Sequence, residues 1–146
     1  VNFDQQTRTE WRELGFYYDF DERPFARQWR FFGSRAGLLN WALLLEKYAQ
    51  HSAHAGLSEH KHYGPYWYLK VMTWNQAQIT EQFWAGTLGD IARLATQLRI
   101  AFQSHQPGQT FLLTGYGESN TVGVRFFVMA DDFDPATLDE QLEMCS

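Results

Sequence analysis

A single cysteine, Cys145, stands among the 146 residues. One thiol cannot close an intramolecular disulfide or assemble a multi-cysteine zinc site, so neither staple is available and a reducing compartment fits. No run of about 18 apolar residues occurs, which leaves no segment able to span a bilayer as a helix. The first residues, VNFDQQTRTEW, also lack the basic start and apolar stretch of a secretory signal. These absences lead to the expectation of a cytoplasmic protein with no membrane association. Basic residues are scarce too: 12 Lys and Arg face 17 Asp and Glu, for a net charge of −5. A nucleic-acid partner calls for a clustered basic surface, so it is disfavoured and a basic protein partner is favoured.

What the chain has in excess is rings. Aromatic residues make up 17% of it, six of them tryptophans. Large rings are core material first, but a surplus of them also suggests anchors that line a groove or a contact surface. The hydrophobic content of 45% is enough for one substantial core, and residues 1–146 read as one domain.

Along the chain, ELGFYYDF (13–20) alternates so that Leu14, Phe16, Tyr18 and Phe20 share one strand face. A turn at DERPFAR then returns the chain as QWRFF (28–32), its expected hairpin partner. Ser34 is the expected N-cap of a helix whose Leu38, Trp41, Ala42, Leu45, Tyr48 and Ala49 recur at helical spacing. Residues 51–65 show no clean period and read as a long loop. YWYLKVMTW (66–74), apolar on both faces, predicts a central strand, and ITEQFW (79–84) the next. Thr87 and Asp90 form a capping-box pattern before a second helix with Ile91, Leu94, Ala95, Leu98 and Phe102 on one stripe. TFLLT (110–114) and VGVRFFVM (122–129) complete the strands, and Asp134 before Pro135 starts a short final helix.

Sliding the chain by 53 positions sets Gly33 on Gly86, Ser34 on Thr87, Leu38 on Ile91, Ala42 on Ala95 and Leu45 on Leu98. The element order is then ββα-ββα-ββ. It predicts an α+β two-layer sandwich, an antiparallel or mixed sheet of about six strands with two helices on one face.

SEHKHYG (58–64) gathers Glu59, His60, Lys61, His62 and Tyr63, with His51 and His54 shortly before. On an extended segment His60 and His62 point to the same side, as neighbouring metal ligands do. Two imidazoles and Glu59 nonetheless match no zinc signature, and the simpler reading is a polar loop bonded to strand ends. An acid–base pair of Glu59 with His60 or His62 defines the enzymatic alternative, a small hydrolase or metal-dependent enzyme, but no nucleophile or oxyanion hole accompanies it. GYGES (115–119) lacks the third glycine and the following helix of a phosphate cradle, so it reads as a hairpin turn. No cofactor is expected.

Two acidic groups close the first and last strands: Asp19, Asp21 and Glu22 around Phe20, and Asp131, Asp132 and Asp134 around Phe133. Charged strand ends are ordinarily just solvated; with rings among them they also suit rapid capture of a basic partner.

The stretch LSEHKHYGPYWYLKVMTW, in its small acidic ββα-type chain, resembles small bacterial immunity proteins of polymorphic and contact-dependent inhibition toxin systems. The resemblance implies a cytoplasmic, non-enzymatic inhibitor that binds a cognate basic toxin domain, often a nuclease. No family catalytic residue carries over. The expected contact residues are Asp19, Asp21, Glu22, Glu59, His60, His62, Tyr63, Asp131, Asp132 and Asp134. A regulatory protein-interaction domain is the remaining alternative.

Overall fold

The computed structural model describes residues 3–117 and 122–142. Cys145 lies outside them, and of the GYGES turn only Gly115, Tyr116 and Gly117 are described. The elements are α1 (Phe3–Leu14), β1 (Phe16–Asp21), β2 (Gln28–Ser34), α2 (Arg35–Gln50), β3 (His60–Tyr63), β4 (Leu69–Thr73), β5 (Gln78–Ile79), β6 (Trp84–Gly86), α3 (Leu88–Ser104), β7 (Thr110–Leu112) and β8 (Gly123–Met129). Short 3-10 turns occupy Ser52–His54 and Pro135–Leu138.

The protein is α+β, but among the described residues its strands form two mixed four-stranded sheets rather than one sheet of six. The first has the order β1-β2-β8-β7 and the second β3-β4-β6-β5. Each pairs an antiparallel hairpin with a second hairpin through one central parallel contact, β2 with β8 and β4 with β6. Read as β5-β6-β4-β3, the second sheet repeats the first. The internal echo is therefore structural, with a unit of ββαββ. After each helix the chain crosses over, so the hairpin that follows α2 joins the second sheet and the hairpin that follows α3 joins the first.

Three differences from the predicted elements have local causes. Residues 3–14 form a helix whose only buried side chains are Trp11 and Leu14, too few for an apolar stripe to be legible. Leu14 thus closes α1 instead of opening a strand, and Gly15, at φ +93°, turns the chain into β1. The long loop of 51–65 contains β3, an edge strand on which only Tyr63 is buried. ITEQFW divides into β5 and β6, because Thr80 and Phe83 close a turn between them with a main-chain bond of 2.9 Å.

The caps follow the sequence. Ser34 Oγ accepts from Gly37 N at 3.1 Å, and Thr87 and Asp90 make both bonds of a capping box at 3.0 Å. Asp134 likewise caps the final 3-10 turn by accepting from Ala136 N. The two long helices pack mainly on each other, and the stripes predicted for them, including Leu45 and Leu98, are buried apart from Ala49, which is half-buried. Phe31 on β2 is the hub of the core: the rings of Phe16, Trp41, Trp84 and Phe126 all lie within 6 Å of it, centre to centre.

Candidate binding groove

β1 is an edge strand, and a groove of about 720 Å³ runs beside it. Tyr17, Tyr18, Asp19 and Phe20 form one wall, and Tyr66, Trp67, Tyr68 and Lys70 belong to the other. At the β1 start, Asp139 accepts from Trp11 Nε1 at 2.9 Å and from Tyr66 Oη at 2.5 Å. At the β1 end, Arg27 pairs with Glu81, while Trp29 Nε1 donates to Thr80 O at 2.8 Å. Both closures join segments far apart in sequence. The volume is typical of a ligand pocket and suits a few side chains of a partner.

The rings of this groove are polar-tipped and stay protonated. Burial, and then the Asp19 charge, pushes the Tyr17 hydroxyl up to about 12. Tyr66 is raised by burial and by its bond to Asp139. At neutral pH both therefore present uncharged faces and a hydroxyl.

Phe25, Ser58 and Trp67 are the non-glycine residues at positive φ among the described residues, and of the three Trp67 is the one that lines the groove. It has φ 63°, a left-handed conformation rare for a bulky residue, and 68% of its surface is exposed. His62 holds it there: Nδ1–H donates to Trp67 O at 2.8 Å and the two rings stack at 5.8 Å. Tyr68 beside it is 65% exposed. Strain and exposure of large rings are costs to folding, and they gather at binding sites because function requires them there.

The expected contact residues fall into different environments. Asp19 is bridged to Arg30 at 2.5 Å across the β1–β2 ladder, and Asp134 to Arg12 at 3.0 Å. Asp21 is buried and held by both nitrogens of the Arg23 fork, at 2.9 and 2.7 Å. Tyr63 is buried as well, and neither Asp21 nor Tyr63 lines the groove. Glu22, Asp131 and Asp132 remain exposed. The two acidic groups are thus smaller as charges than as sequence, since arginines of the same chain offset three of their six carboxylates.

Glu59, His60 and His62 are also exposed. The His60 and His62 rings sit 5.3 Å apart, and His60 Nδ1–H donates to Ser58 O at 3.1 Å, which leaves both Nε2 atoms as acceptors. That makes two metal-ligand positions. Among the described residues no group of three His, Cys, Asp or Glu is placed to hold a metal ion. Glu59 is anchored through its backbone, whose carbonyl accepts from Tyr48 Oη at 2.8 Å.

Sequence reading missed Trp11, Tyr17, Tyr66, Trp67, Tyr68 and Asp139 as site residues. For Tyr66, Trp67 and Tyr68 the signal is the run of rings after Pro65, which reads as strand although the chain enters β4 only at Leu69; Trp11, Tyr17 and Asp139 carry no local signal.

The Asp21–Arg23 pair carries a pH prediction. Arg23 side-chain and backbone bonds lower the Asp21 carboxyl from 3.8 to about 2. A depressed folded-state value means that the contribution is complete above pH 3.8 and is lost as pH falls through about 2. Asp21→Asn is expected to flatten the fall in chemical-denaturation midpoint across that window; equal slopes for variant and wild type would refute the assignment.

Comparison with protein-family models, curated proteins and solved structures finds no match for this chain. Among the described residues no helix is long and apolar enough to cross a membrane.

Proposed function

We propose that this chain is a non-enzymatic, cytoplasmic binding protein whose groove beside β1 holds a basic part of another protein, the role of an immunity protein toward a cognate toxin domain. The observation that carries this reading is Trp67, strained, exposed and pinned by His62 on the groove wall. Rings held ready in this way lose little freedom on binding and serve as anchors. Glu22 at the groove and Asp131 and Asp132 elsewhere, which no cation among the described residues pairs, supply the charge that steers a basic partner.

The test is co-expression of the neighbouring open reading frame with and without this protein, together with binding kinetics. Wild type is expected to restore growth. Trp67→Ala, at an exposed position, is expected to leave the fold intact and to speed dissociation by about tenfold or more. Glu22→Gln is expected mainly to slow association and reduce its salt dependence. A harmless neighbour that does not bind would remove the toxin partner from the reading, and binding indifferent to Trp67 would remove the groove.

A further inference from the structure

We propose that the groove receives an extended basic segment of the partner as an additional strand on the open edge of β1. This rests on the binding reading above and specifies how that site is filled. Within its sheet β1 pairs only with β2. Among the described residues its main chain, Phe16–Asp21, makes no backbone bond to any other element. In an antiparallel ladder every second residue turns its N–H and C=O away from the neighbouring strand. Those groups of β1 face the groove, because four consecutive residues, Tyr17 to Phe20, line it. A helix or a flat surface laid there would exclude water and leave the edge groups unpaired, at a cost comparable to a lost hydrogen bond for each. An extended segment satisfies them.

The charges select a basic segment. Asp19 and Glu81 are already paired with Arg30 and Arg27. Glu22 is exposed and Asp139 is buried, and neither has a cation within ion-pair distance among the described residues. Asp139 accepts from Trp11 Nε1, Tyr66 Oη and Gln141 N, three neutral donors. Against these two carboxylates the groove lining holds one lysine, Lys70. A lysine or arginine entering beside Tyr17 and Tyr66 meets ring faces as well as the Asp139 carboxylate. Strand alternation puts Tyr17 and Asp19 on one face of β1 and Tyr18 and Phe20 on the other. The added strand therefore alternates too, cationic toward Asp139 and apolar toward Phe20 and Trp29. A second copy is the poorer occupant, since each chain carries a net charge of −5 and would bring the same acidic groove.

The experiment uses the full chain, isotope-labelled for amide exchange, and a short capped peptide alternating lysine and valine. Its controls are a glutamate–valine peptide and two lysine–valine versions N-methylated in alternate registers. The lysine peptide is expected to bind, to slow exchange of the outward amides of β1 by about tenfold or more, and to lose about tenfold in affinity in one methylated register only. Trp67→Ala is expected to weaken the lysine peptide.

Absence of binding, equal binding of the glutamate peptide, or indifference to both methylated registers would overturn the proposal. Binding that Trp67→Ala weakens while β1 amides stay unprotected would overturn strand addition and spare the groove. Sedimentation of the free protein supplies the last arm: a dimer with protected β1 amides would give the edge to a second copy and overturn the proposal. Failure here alongside growth protection in co-expression counts against strand addition alone.

Discussion

Phe31→Ala is expected to cost about 3 to 5 kcal/mol, a large part of the roughly 5 to 15 kcal/mol that stabilises a domain of this kind. Phe31 is fully buried on a central strand of the first sheet. Its ring lies 5.0 Å from Phe126, 5.5 Å from Phe16, 5.4 Å from Trp84 and 5.8 Å from Trp41. These neighbours come from both sheets and from α2, so no single element can move inward to close the space. The matched control is the next residue. Phe32 points to the other face of β2, is half-buried, and stacks on Phe127 at 4.4 Å. Phe32→Ala is expected to cost about 1 kcal/mol, the scale of one aromatic pair. Chemical denaturation of both variants checks the contrast, and similar losses would show that the core does not centre on Phe31.

Gly37→Ala is expected to destabilise by about 3 kcal/mol or more, against the sign of helix propensity. In an unobstructed helix the same change stabilises by about 1 kcal/mol. At Gly37, in the first turn of α2, an added Cβ would stand 1.9 Å from the carbonyl oxygen of Gly15. Relief is blocked because Gly15 is itself at φ +93° and lies against the Gly37 backbone. The methyl would have to push α2 away from the α1–β1 corner and so open the core beneath it. Gly89, in the first turn of α3, is exposed, with no atom closer than 3.6 Å to its Cβ position. Gly89→Ala is expected to follow propensity and to gain a few tenths to about 1 kcal/mol. Thermal unfolding of the pair reads the difference as opposite shifts, and a stabilised Gly37→Ala would disprove the close approach.

The two predictions separate what short-range pattern carries from what it cannot. The stripes of α2 and α3, their Ser34 and Thr87 caps, the β1–β2 hairpin and the Asp134 start were legible, because each depends on residues within a few positions of one another. The same held for the Gly33/Gly86 echo, which marks where each hairpin meets its helix. β3 was not legible, since three of its four side chains face solvent and an edge strand needs no apolar alternation. α1 was hidden for the same reason, as its burial rests on Trp11 and Leu14 alone.

By itself the sequence determined an α+β chain with two capped amphipathic helices, an excess of rings and an acidic balance. Tertiary structure alone decided that the hairpins exchange between two sheets, because a strand's partner is set by packing of faces across the whole chain. It also decided which carboxylates remain free. Asp19, Asp21 and Glu22 look alike in sequence, yet Arg30 and Arg23 pair with the first two and leave Glu22 open. The groove is tertiary in the same sense: its walls come from residues 17–20 and 66–70, its ends from 11, 81 and 139, and only folding brings them together.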